Sequence, residues 1–140
     1  MNILFFLTPK KNVASIPSQD SLRQALEKMK YHGYSAVPTI DADGKYAGTI
    51  TEGDILRAME NMCNWNIFEA EKIKVQDVPR KRNIQAIFID TDMDDLVDTI
   101  TDQNFVPVVD DQKNFIGIVT RKDVIRFYYD EYKKIQTKEA

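Results

Sequence analysis

The chain has 140 residues, 43% of them hydrophobic and 29% charged, with a formal net charge of −3. This is enough apolar material for one globular core, without the basic excess expected of a general nucleic-acid binder. One cysteine, Cys63, and one histidine, His32, exclude an internal disulfide, a thiolate zinc site and a histidine metal cluster, and favour a reducing, cytoplasmic setting.

The opening MNILFFL is apolar but too short to span a bilayer, and no basic n-region or cleavage site accompanies it. It reads as a packed terminal strand or helix, not a membrane segment. Pro9, Lys10, Lys11 and Asn12 form a short basic run, either a solvated loop or a phosphate-neutralising one. Asn12, Val13 and Ala14 lead into a first strand. Leu22, Ala25, Leu26 and Met29 then follow at i, i+3, i+4 and i+7, one buried helical face, with Asp20 or Ser21 as its N-cap and His32 at its end. After Gly33, Tyr34, Ser35 and Ala36, strands over 37–40 and 47–50 flank a tight turn at 41–45 where Gly44 supplies freedom in φ. GTITEGD opens a second helix near Asp54, which carries Ile55, Met59 and Met62 toward a core. Residues 62–77 hold Trp65, Ile67, Phe68 and Ile73, which suggests a packed connecting helix, not a flexible linker.

The pattern then starts again. Pro79, Arg80, Lys81, Arg82 and Asn83 form a second basic run, and Asn83, Ile84 and Gln85 lead into the next strand. Asp90, Asp92, Asp94 and Asp95 lack the glycine and terminal glutamate of a calcium loop and suit a helix N-terminus. Met93, Leu96, Val97 and Ile100 repeat the helical spacing. Gln103, Asn104 and Phe105 precede strands over 106–109 and 115–119, joined by a turn at 110–114. GIVTRKD opens a last helix carrying Val124, Tyr128 and Tyr132 toward a core; Tyr128, Tyr129 and Tyr132 also suit a face packed on a partner.

AVPTIDADGKYAGTITEGDILRAM aligns with FVPVVDDQKNFIGIVTRKDVIRFY at an offset of 69. Pro38, Asp41, Gly48, Thr51, Asp54 and Arg57 recur as Pro107, Asp110, Gly117, Thr120, Asp123 and Arg126. Upstream the offset is 71, so a loop in the second copy is two residues shorter. Each copy reads as a β-α-β-β-α unit, giving an α/β (α+β) fold: repeat 1 over 8–62, a connecting helical segment over 63–77 and repeat 2 over 78–133. A unit of about fifty residues is marginal alone, so the copies are expected to pack sheet to sheet about a pseudo-twofold axis, with a cleft between them.

The shared Thr-x-x-Asp run has two readings. In one it is a capping box, with Thr51 or Thr120 capping the helix and the aspartate reaching back. In the other, the helix N-terminus offers free N–H groups and a positive dipole end to a phosphate, while the aspartate accepts from ribose hydroxyls. Capping and binding can coexist. Arg121 and Lys122 add charge inside the second motif where the first has Glu52 and Gly53, so the two sites are expected to differ.

The linked pair of hydrophobic-Pro-x-hydrophobic-Asp and Gly-hydrophobic-Thr-x-x-Asp patterns resembles the CBS domain, named for cystathionine beta-synthase, over about residues 8–133. The resemblance implies two paired units that dimerise, and an adenosine-containing ligand such as AMP, ADP, ATP, S-adenosylmethionine or cyclic di-AMP. It implies site residues Thr51 and Asp54, Thr120 and Asp123; adenine-pocket residues Tyr34, Ser35 and Ala36, then Gln103, Asn104 and Phe105; and Asn12, Val13 and Ala14, then Asn83, Ile84 and Gln85. The expected function is a regulatory adenine-nucleotide sensor that is not an enzyme, acts on an unidentified protein in trans and forms a homodimer through faces such as those of Ile55, Met59, Val124 and Tyr128. The competing reading is a structural or oligomerisation module without ligand. A nucleotide-processing enzyme is disfavoured because no histidine, metal cluster or activated nucleophile stands near the motifs.

Overall fold

A computed structural model describes residues 2–139. In chain order they carry β1 (Thr8–Pro9), β2 (Ile16–Pro17), α1 (Leu22–His32), β3 (Ala36–Ile40), β4 (Tyr46–Thr51), α2 (Glu52–Cys63), α3 (Ile67–Ala70), β5 (Ile87–Phe88), α4 (Met93–Ile100), β6 (Phe105–Val109), β7 (Phe115–Thr120) and α5 (Arg121–Glu139). They fall into two compact units. The first comprises Ala14–Gln85 with Lys113–Phe115; the second comprises residues up to Val13, Ala86–Gln112 and residues from Ile116 on.

In the first unit, β2 lies parallel to β3, with Ile16 opposite Thr39, and β3 is antiparallel to β4, with Ala36 opposite Thr51. Helix α1 starts because Ser21 and Gln24 close a capping box: Ser21 Oγ accepts from Gln24 N at 3.1 Å, and Gln24 Oε1 accepts from Ser21 N at 2.8 Å. It stops at Gly33, whose left-handed φ of 71° lets its N–H reach Met29 O at 2.8 Å. Leu22, Ala25 and Met29 bury the face the spacing predicts, against Ile16, Val37, Ile50, Ile55, Ala58, Met59 and Cys63. Removing a side chain like Leu22 from water contributes about 1.5–3 kcal/mol.

The connecting segment departs from the expected packed helix. Asn64 and Trp65 both take left-handed φ, 47° and 61°, and Trp65 N–H reaches back to Met59 O at 2.9 Å, which ends α2. Only the four-residue α3 and a short 3-10 turn, Val75–Asp77, follow. Ala70, Val75 and Val78 join the core, while Trp65 and Phe68 are 55% and 66% exposed.

In the second unit the strand order is β1-β7-β6-β5, with β5 parallel to β6 and β1 antiparallel to β7. Ile87 pairs Val108 as Ile16 pairs Thr39, so both alignment offsets reappear in the ladder. The opening apolar run forms a 3-10 turn, Ile3–Phe6, capped by Asn2, and buries Ile3 and Phe6 with Leu96, Ile100, Val106, Val108, Val119 and Val124. Phe127 meets Phe5 and Phe6 edge to face at 5.4 and 5.3 Å. Strand β1 crosses Gly117 so closely that a Cβ there would stand 2.2 Å from Thr8 O. Asp92 caps α4, with Asp94 and Asp95 in its first turn.

Three side chains expected to point coreward do not. Met62, Tyr128 and Tyr132 are 41%, 46% and 53% exposed. The buried stripe of α2 is Ile55, Ala58, Met59 and Cys63, which leaves Met62 to one side. Helix α5 has 19 residues and α4 only eight, so α4 ends before it can cover the later turns of α5.

Candidate functional site

The two Thr-x-x-Asp motifs have the same backbone and different side-chain chemistry. In the first unit the capping box is complete: Thr51 Oγ1 accepts from Asp54 N at 3.1 Å, and Asp54 Oδ2 accepts from Thr51 N at 3.0 Å. Asp54 is buried, and its Oδ1 also accepts from Lys81 N at 3.1 Å and Arg57 Nη2 at 2.7 Å. Burial pushes the Asp54 pKa up, but the hydrogen bonds from Lys81, Thr51 and Arg57 outweigh it and hold the carboxyl below its usual range.

In the second unit Thr120 Oγ1 accepts from Asp123 N at 3.2 Å, but Asp123 is exposed. Among the described residues no hydrogen bond or ion pair reaches its carboxylate, and Arg126, aligned with Arg57, forms no pair with it. Asp123 therefore keeps acceptor capacity at the N-terminus of α5, next to the exposed Lys122.

Two arginines of the basic runs serve the protein's own backbone. Arg80 donates from Nε to Thr49 O at 3.0 Å and from Nη1 to Val75 O and Val78 O. Burial pushes its pKa down, against the attraction of Asp54. Arg121 donates from Nε to Ile100 O and Gln103 O at 3.0 and 3.1 Å, and from Nη2 to Thr101 O at 3.3 Å. It thus closes the C-terminal end of α4, where the shorter second copy lacks the glycine that caps α1. A signal was present in the sequence: an arginine replaces Glu52 in the copy that has lost Gly33.

The other expected site residues lie as follows. Ala14 and Tyr34 meet in a hollow of about 180 Å³ with Ser15, Ile16, Lys28 and Val37, and the Tyr34 ring stacks on His32 at 5.4 Å. Ser35 O accepts from Glu52 N at 2.9 Å, and Asn104 O accepts from Arg121 N at 2.9 Å, the same bond in each copy. Ala36 and Phe105 begin β3 and β6. Asn12 closes a 3-10 turn whose Lys10 O accepts from Val13 N; both belong to the second unit, Ala14 to the first. Asn83, Ile84 and Gln85 belong to the first unit, where Ile84 O accepts from Tyr46 Oη at 2.7 Å. Asn104, Arg121 and Lys122 share an open groove of about 750 Å³ along α5. Among the described residues there is no group of three or more His, Cys, Asp or Glu able to hold a metal ion, and no helix long and apolar enough to cross a membrane.

Two β-α-β-β-α units, each ending its last strand in Thr-x-x-Asp at a helix start, define a tandem-repeat fold. The chain belongs to the CBS domain family, whose model matches residues 6–61 and 75–130. The fold is that of solved CBS proteins: it superposes on CbpB in complex with c-di-AMP at a TM-score of 0.89, with 24% identity over 99% of this chain and 91% of that one. CbpB of Listeria monocytogenes in complex with c-di-AMP is 27% identical over 95% of this chain and 98% of its own, with a TM-score of 0.82. L-aspartate semialdehyde sulfurtransferase of Methanocaldococcus jannaschii is 29% identical over 87% of this chain and 23% of its own length. The chain spans about half or less of the first curated relatives it matches.

Proposed function

We propose that the chain is a regulatory adenine-nucleotide-binding module, a cytoplasmic energy or second-messenger sensor that acts on a separate protein in trans. The observation that carries this reading is its likeness, at 27% identity over nearly the whole chain, to a CBS protein in complex with c-di-AMP. The ligand is AMP, ADP, ATP or cyclic di-AMP. On this reading each unit has its own candidate site; in the second, Thr120, Asp123 and Lys122 form the polar half, the carboxylate taking ribose hydroxyls and the lysine and helix N-terminus taking phosphate. In the first unit Ala14 and Tyr34, with Ser35 and Ala36, offer the apolar and aromatic surface an adenine needs. Asn83, Ile84 and Gln85 complete the candidate lining in the first unit and Asn12, Val13, Asn104 and Phe105 in the second, while Thr51, Asp54 and Arg121 act chiefly in support. No catalysis is required, since a coupling of about 1–3 kcal/mol between ligand and partner suffices for a sensor.

A structural module without ligand is the second reading, favoured by the commitment of Asp54, Arg80 and Arg121 to the protein's own groups. Thermal melting with AMP, ADP, ATP and cyclic di-AMP separates the two. Ligand at a hundred times its dissociation constant adds about 2.7 kcal/mol of stability. No shift with any of them leaves the structural reading, and product formed from ATP contradicts both.

A further inference from the structure

Helices α1 and α4 are closed in different ways. At the end of α1 the donor is backbone, Gly33 N–H on Met29 O at 2.8 Å. At the end of α4 it is a side chain: Arg121 Nε divides one hydrogen between Ile100 O and Gln103 O at 3.0 and 3.1 Å, and Nη2 reaches Thr101 O at 3.3 Å. A divided hydrogen and a contact at the long end of the range are each weaker than one well-aligned bond. In the same turn Gln103 Nε2 is buried with no hydrogen-bond partner among the described residues. Buried donors are nearly always paired, so an unpaired one calls for a reason.

Arg121 also borders the open groove along α5, where Lys122, Arg126 and Lys133 are exposed and Asp130 is the one acid in the lining. Four cations against one carboxylate make this wall positive, and it draws an anion. The first unit has no such wall: Glu52, Gly53 and Asn64 stand where Arg121, Lys122 and Lys133 stand in the second. A phosphate chain offers Arg121 a charge-assisted, two-pronged pairing, stronger than its divided bonds to carbonyls. Carbonyls left bare would offset that gain. The Gln103 amide, two donors without a partner in the same turn, is placed to take one of them over.

We propose that a phosphate chain in the α5 groove draws Arg121 off the end of α4 and that Gln103 Nε2 replaces it there, so that the end of α4 has two arrangements, one for each state of the site. Gln103 is a positioning residue: it touches no ligand and sets the cost of moving Arg121. What Arg121 gains at the phosphate it gives up at α4, so the exchange signals more than it binds. The inference rests on the nucleotide reading of the second unit and adds to it how that site would report occupancy.

The test uses the full chain with adenosine, ATP and cyclic di-AMP as probes. Gln103→Leu removes an unpaired donor, so without ligand its urea midpoint is expected to equal or exceed that of the wild type, where a merely structural glutamine would lower it. In calorimetric titration the variant weakens the tighter of the two phosphate-bearing probes roughly tenfold more than adenosine. By NMR, that probe moves the Gln103 side-chain amide signals of the wild type to a hydrogen-bonded position and adenosine does not. Arg121→Ala gives that position without ligand. A lowered midpoint, equal losses for phosphate-bearing and phosphate-free probes, or amide signals unmoved by a bound phosphate-bearing probe overturn the proposal and leave the nucleotide reading standing. No binding of any probe overturns both.

Discussion

The Asp54 carboxylate commits both oxygens to the protein, accepting from Thr51 N, Lys81 N and Arg57 Nη2. Asp54→Ala therefore leaves two backbone donors without their charged acceptor and lowers stability by about 1.5–3 kcal/mol, measurable as a fall in urea midpoint without ligand. Asp123→Ala does the opposite: with no partner to abandon it leaves the urea midpoint within about 0.5 kcal/mol of wild type. It weakens the best-bound nucleotide by about 1.5–3 kcal/mol in calorimetric titration if Asp123 is the ribose acceptor. Lys122→Ala weakens ATP more than adenosine and flattens the salt dependence, whereas Arg121→Ala acts mainly on stability through the end of α4. Residues with one position in the repeat thus carry different work, because their neighbours differ: Lys81 N and Arg57 surround Asp54, while nothing among the described residues closes on Asp123.

The strand β1 depends on Gly117 having no side chain. Gly117→Ala places a Cβ where Thr8 O stands, so β1 must move away from β7, at about 1–3 kcal/mol. Faster amide exchange at Ile118 and easier proteolysis around residues 8–12 are the expected signs. Intact protection there would mean the backbone absorbs the clash. The repeated strands and helices were legible in the sequence because periodicity and identical turns record local geometry: Leu22, Ala25 and Met29 lie where their spacing puts them. The Thr-x-x-Asp runs were equally legible as helix starts. What stayed hidden were choices made by distant partners. No local pattern says that Thr8 pairs Ile118, that Arg80 spans Thr49, Val75 and Val78, or that Asp54 meets Lys81 N. Trp65 and Phe68 lie exposed where a packed helix was expected, because apolar composition alone cannot tell a core from a surface.

Arg23, Tyr46, Asp54, Cys63 and Arg80, whose titration is shifted, all lie in the first unit. The depressed Asp54 contributes stability above its unfolded pKa, which is lost as pH falls through its folded value. Burial pushes the Cys63 thiol and the Tyr46 phenol up, so their contribution is present below their unfolded pKa values and is lost as pH rises. Stability is therefore expected to be flat from about pH 5 to 8 and to fall on both flanks, with hydrogen exchange rising first over residues 14–85. Earlier loss of protection over 86–112 would contradict this. The second unit has another dependence, set by its two separated pieces. Ile3 and Phe6 belong to the same core as Leu96 and Val106, yet residues 14–85 lie between them in the chain. On a ribosome adding about 5–20 residues per second, the N-terminal piece is made roughly 4–14 s before the first residue it packs with. Throughout that interval Ile3, Leu4, Phe5, Phe6 and Leu7 ride on the nascent chain as an uncovered apolar tag, open to a chaperone before the rest of their core exists.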